Sequence, residues 1–185
     1  MAAIVAGDIL TKYSVAGAAS AGNATAGSAT TTWQGKYMSS TTWAGGGTND
    51  VFPDITGAQN AASQVDYACI FVHNTNTANS YQTCVVSIQS EVAGGASVAI
   101  AVDSTAATVY TSAPVQALAP SSSTASGDAR ALLTYGSSAT LGTLQSQSGT
   151  NTNVRAFWIR RTAANSAALS GDGVTLSITG DTGSL

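Results

Sequence analysis

Two cysteines, one histidine and a run of arginines around aromatics are the residues whose chemistry could go beyond packing. Cys69 and Cys84 lie in two segments rich in β-branched and aromatic residues, 65–72 and 81–90. Between them runs His73-Asn74-Thr75-Asn76-Thr77-Ala78-Asn79-Ser80, a composition that favours turns through local side-chain hydrogen bonds. A hairpin symmetric about Asn76 and Thr77 places Cys69 directly opposite Cys84. Cross-strand Cα atoms about 4.5–5.5 Å apart are within disulfide reach, whereas a reducing cytoplasm keeps thiols free. The expectation is therefore a cross-strand thiol pair, Cys69 and Cys84, adjacent and reduced, acting as small apolar core fillers.

His73 is the only histidine. A hydrolytic triad needs a base beside both a nucleophile and an orienting acid. Asp66 is seven residues away on the same strand, hence on its opposite face, and no serine sits in a Gly-x-Ser-x-Gly elbow. Cys69 and His73 share a face but stand about 13 Å apart along a strand, too far for one zinc ion. His73 reads as a solvated side chain at a strand end. The nine acids are scattered, with no calcium loop, and Asp172 between two glycines reads as a turn residue. Gly45-Gly46-Gly47 is not followed by the Lys-Ser or Lys-Thr of a phosphate loop. The chain is read as no enzyme, with no cofactor and no metal.

Arg155, Arg160 and Arg161 flank Phe157-Trp158-Ile159. Arginine among aromatics is the composition of interface hot spots; an edge strand guarded by charge is the other reading. With Trp33, Tyr37 and Trp43 from the aromatic segment 33–43, the candidate interface residues are Trp33, Tyr37, Trp43, Trp158, Arg160 and Arg161.

The elements that would carry these residues are strands. Alternation of apolar and polar residues predicts strands at 65–73, 81–90, 97–103, 154–161 and 174–179. Residues 3–15, ending in Asp8-Ile9-Leu10-Thr11-Lys12-Tyr13-Ser14-Val15, follow neither period cleanly and are read as a weaker strand. In 65–73, Val65, Tyr67, Cys69 and Phe71 form one face and Ala68, Ile70 and Val72 the other. With both faces apolar, this strand should be central and covered on two sides. Residues 58–63 read as a loop, 132–133 and 141–144 are ambiguous, and nothing predicts a long amphipathic helix. The fold class is all-β, an antiparallel β-sandwich. Residues 16–32 contain no large apolar side chain and cannot by themselves offset the entropy of ordering. The division expected is an extended Ala/Gly/Ser/Thr-rich N-terminal arm, 1–49, and a β-sandwich domain, 50–185.

Only 8% of residues are charged, against about 25% in an ordinary domain. A surface of Ser, Thr, Asn, Gln, Gly and Ala desolvates without burying many charges, which suits permanent packing against copies or partners. Six Lys and Arg residues and a net charge of −3 provide no basic run for phosphates, so no nucleic-acid partner is expected. There is no apolar run of about 18 residues, and the first residues lack the positive region of a signal peptide. The expectation is a chain made in a cytoplasm, with no membrane partner.

Three segments carry a family likeness. Phe52-Pro53-Asp54-Ile55-Thr56-Gly57-Ala58-Gln59-Asn60-Ala61-Ala62, then Val65-Asp66-Tyr67-Ala68-Cys69-Ile70-Phe71-Val72-His73-Asn74, then Phe157-Trp158-Ile159-Arg160-Arg161-Thr162 with Gly171-Asp172-Gly173-Val174-Thr175-Leu176, resemble segments of a group of tailed-bacteriophage virion proteins. The likeness covers about residues 50–102 and 154–182. The chain departs where that group carries charge: Gln59 stands for Glu, Ala68 for Arg and His73 for Lys. The resemblance implies a virion structural protein made in the host bacterial cytoplasm. The role expected is a capsid decoration or cement protein that contacts the major capsid protein and neighbouring copies of itself, homo-oligomeric in the particle. The alternatives are a tail, neck or baseplate protein, or a carbohydrate-binding module using Trp33, Tyr37 and Trp43 as a stacking platform.

Overall fold

The computed structural model describes residues 3–15, 37–47, 49–106, 108–109, 129–148, 151–167, 169 and 171–184. The strands are β1 (Ile9–Val15), β2 (Tyr37–Thr42), β3 (Val65–Asn74), β4 (Asn79–Glu91), β5 (Ser97–Val102), β6 (Thr108–Val109), β7 (Ser138–Leu144), β8 (Thr152–Thr162) and β9 (Val174–Ser184). The five strands expected from alternation are all present, within two residues at each end except β9, which runs to Ser184 and past the expected end at 179. A single α-helical turn, α1 (Gly57–Ala61), occupies the segment expected to be a loop. Its cause is local: the Thr56 hydroxyl accepts from the Gln59 N–H while the Gln59 side chain accepts from the Thr56 N–H. Thr-x-x-Gln is capping-box spacing, which satisfies two helix-end donors reciprocally.

Two antiparallel sheets pack face to face. The larger runs β2-β1-β3-β8-β5, with β6 also on β8; the smaller runs β7-β4-β9. Strand β3 lies between β1 and β8, pairing Ile70 with Tyr13 and Phe157. Its two faces enter two cores, as the double apolar pattern requires. Ala68, Ile70 and Val72 join Phe157, Ile159, Ile100, Val86 and Leu141 between the sheets. Cys69 and Phe71 join Trp158, Ala156, Val154 and Met38 on the outer face of the larger sheet. Each fully buried side chain of this size contributes about 1.5–3 kcal/mol relative to exposure.

Two expectations are corrected. β3 and β4 do not form a hairpin: β3 pairs with β1 and β8, and β4 with β7 and β9. The connection is a corner that leaves one sheet for the other. The Asn74 amide donates to the carbonyls of Asn79, Leu144 and Gln145, tying the end of β3 to the smaller sheet. Asn76 Oδ1 accepts from the N–H groups of Ala78 and Asn79 and turns the chain. The loop also lacks the Asn-Gly type of pair that a tight hairpin favours.

The boundary at residue 50 does not hold either. β1 and β2 are integral strands of the larger sheet, and Tyr13 is a member of the inner core. Between them, the expected arm at 16–32 lies outside the described residues. Among the described residues, no helix is long and apolar enough to cross a membrane.

Candidate functional site

The thiols are apart in kind as well as place. Cys69 faces the outer core and Cys84 the inner core, in different sheets, and both are free and fully buried. The adjacent cross-strand pair expected above is therefore corrected: it required a β3–β4 hairpin that does not form. Burial, and secondarily the charge of Asp103, pushes the Cys69 thiol well up; burial alone pushes Cys84 up to about 12. A thiol at that value is thiolate to about one part in ten thousand at pH 8. The native protein should accordingly not react with an aromatic disulfide reagent, and should release two equivalents per chain once unfolded in denaturant. Rapid reaction of either thiol in buffer alone would place it at the surface.

His73 is 3% exposed, not solvated as expected. At the end of β3 its Nε2 meets the Asn153 amide at 3.1 Å. Burial first, and then the positive charge of Lys12, lowers its pKa to about 4. It is held neutral in the fold. Among the described residues, no group of three or more His, Cys, Asp or Glu is placed to hold a metal.

The candidate interface residues divide sharply. Trp33 lies outside the described residues, and Tyr37 contributes described backbone in β2 but no described side chain. Trp158 is 0% exposed and cannot meet a partner. Its indole donates to Asp103 Oδ2 at 2.6 Å, which satisfies both buried groups; this corrects its assignment as an interface residue. Trp43 is half-buried against the inner core. Its Nε1 donates to Asp50 Oδ2 at 2.5 Å, and Tyr13 Oη donates to Asp50 Oδ1 at 2.6 Å. Burial and this hydrogen bond push the Tyr13 phenol up. The carboxylate of Asp50 thus pins the segment after β2 onto β1.

Arg160 and Arg161 part because successive strand residues face opposite ways. Arg161 turns inward: it pairs with Asp66 at 2.6 Å, donates to the Pro53 carbonyl at 2.7 Å and lies over the Phe52 ring. It is a structural tie, largely withdrawn from any partner. Arg160 turns outward and lies over the Tyr135 ring, 4.5 Å from its centroid. Tyr135 leans on Tyr67, their centroids 6.0 Å apart. Arg130 is buried with its guanidinium over Tyr67 and Trp158. Sequence reasoning missed Tyr67, Arg130 and Tyr135 as members of this cluster. Tyr67 was visible on the same face as Cys69, but the chain that crosses that face comes from far away in sequence.

At the end of the sandwich where β3, β5 and β9 begin, the sheets part around a cleft of about 1030 Å³. Phe52, Leu176 and Ile178 are among its apolar walls, and Asp54, Leu169 and Asp172 stand around it. The rim turn at 94–95 needs glycine: Gly94 has a φ of +86°, and a Cβ on Gly95 would collide with the Asp172 carboxylate, which accepts from the Ala96 N–H at 2.8 Å. The fold defines the chain as an all-β sandwich protein. Comparison with known protein families, with curated proteins and with solved structures found no match.

Proposed function

We propose that this chain is a structural component of a tailed-bacteriophage particle, a decoration or cement protein that binds the assembled shell of major capsid protein and acts without turnover. The observation that carries the reading is the disposition of charge. The chain has few ionisable groups, and many of those described are engaged within the fold. Asp66 pairs with Arg161; Asp50 accepts from Tyr13 and Trp43; Asp103 accepts from Trp158. Glu91 and Asp172 accept from the backbone N–H groups of Val98 and Ala96, and Asp181 from the Thr83 hydroxyl. What is left to meet a partner is mostly neutral, small and polar, a surface that packs densely without desolvating charge. The likeness of 50–102 and 154–182 to virion proteins supplies the setting.

A subunit that binds the assembled shell and not its separated parts stabilises the assembly by mass action. With so few charges available to screen, binding should depend weakly on salt. The test is to strip the protein from particles, add it back, and follow genome release on heating. Particles without it should open at a lower temperature and recover on add-back. Heads that stay intact to the same temperature would overturn the cement role, and labelled protein at the tail tip would assign it to the tail.

A further inference from the structure

We propose that the turn carrying Leu132 forms a docking ridge, with Leu133 and Tyr135 packed on the outer core as its base, and that the projecting Leu132 enters the sandwich-end cleft of a second copy of this chain, in a head-to-tail contact. Leu132 is 85% exposed, the most exposed large apolar side chain among the described residues. It ends a short 3-10 turn, Ala129–Leu132, that lies on the outer face of the larger sheet. The underside of the turn is locked down. Arg130 is buried over the Tyr67 and Trp158 rings, Tyr135 rests on Tyr67, and Arg160 covers Tyr135. A projecting leucine held by ordered aromatic and guanidinium contacts is pre-organised, so little side-chain freedom is lost when it docks. Arginine and tyrosine around a central apolar residue are also the composition of binding hot spots.

The cleft supplies what the ridge lacks. Its volume of about 1030 Å³ is at the top of the range of ordinary ligand sites, about 300–1,000 Å³, and admits several side chains together. Phe52, Leu176 and Ile178 offer it apolar walls. Leu169 on the rim is 43% exposed. Asp54, also on the rim, is exposed and of opposite sign to Arg160 on the ridge. Ridge and cleft lie on opposite sides of the larger sheet, as Arg160 outside and Arg161 inside mark, so a molecule cannot fill its own cleft. Contact between two different patches is heterologous and continues from copy to copy, closing into a ring or running on as a filament. The inference goes beyond the particle role and does not depend on it.

Sedimentation velocity of the full chain across the micromolar to millimolar range tests the contact. The wild-type chain should associate with rising concentration. Leu132→Asp should weaken association at least about tenfold, and Asp54→Arg or Arg160→Glu should each weaken it similarly. The combined chain carrying Arg160→Glu and Asp54→Arg restores opposite charges across the contact and should regain most of the affinity. Circular dichroism melts control for folding; Leu132 and Asp54 are exposed, so their variants should melt like wild type. A chain that stays monomeric throughout overturns the proposal. So does undiminished association of the Leu132→Asp variant. Loss on Leu132→Asp with no effect of Asp54→Arg or Leu169→Asp would mean that the ridge docks elsewhere, and overturns it equally.

Discussion

Replacing Trp158 by phenylalanine should cost about 2–4 kcal/mol, far more than the loss of a little apolar area, because it strips a buried carboxylate of a donor. The Trp158 indole donates to Asp103 Oδ2 at 2.6 Å, and both residues are 0% exposed. Asp103 Oδ1 keeps the N–H of Thr105, but Oδ2 loses the indole. Trp158→Ala adds the cavity and should cost about 3–5 kcal/mol or more. Urea denaturation gives both values from the shift in midpoint. The paired variant Trp158→Phe with Asp103→Asn should be less destabilised than the two single costs added together, since the neutral amide is cheaper to leave under-bonded. A cost below about 0.5 kcal/mol for Trp158→Phe, the level of an ordinary surface change, would mean that the Trp158–Asp103 contact contributes nothing to stability.

Acid should weaken the fold before the carboxylates titrate. His73 has a folded pKa of about 4, against 6.5 for the free side chain, lowered by burial and then by the charge of Lys12. Its folded value lies below the unfolded one, so the unfolded chain binds the extra proton. The contribution is therefore whole above about pH 6.5 and is lost as pH falls towards 4. Between pH 7.5 and pH 5 the loss is about 2 kcal/mol by linkage. Asp8, held low by the Val5 N–H and then by Asn76, takes up a proton only at lower pH and does not contribute in this window. The measurement is urea stability against pH for the wild type and His73→Gln. The wild type should fall relative to the variant by that amount; parallel curves between pH 7.5 and 5 would show that His73 is solvated after all.

Much of the candidate site could be read only as types of residue. The Arg160–Tyr135 contact joins β8 to a segment 25 residues earlier, and the Arg130–Tyr67 contact spans a longer interval still. No local pattern announces either. Leu132 and Leu133, ambiguous in sequence, become a ridge only because the turn at 129–132 lands on the outer face of a sheet already filled by Trp158 and Cys69.

Alternation along the chain determined by itself where the main strands run, that β3 is covered on both faces, and that Arg160 and Arg161 point opposite ways. Side-chain direction along a strand is a property of the backbone repeat and needs no knowledge of the neighbours. The Thr56–Gln59 capping box was equally local, and could have been read as the helical turn it makes. Which strands pair was decided only by the tertiary structure. A four-residue polar link serves a hairpin or a corner alike, and the three bonds from Asn74 to carbonyls at 79, 144 and 145 settle it here. The same holds for polarity inside. Asp103, His73 and Arg161 read as surface residues by type; the first two are buried and the third largely so, because donors, acceptors and rings that meet them arrive from distant strands and loops. Burial of a polar group costs free energy unless such a partner is present, and only the assembled sandwich brings the partners together.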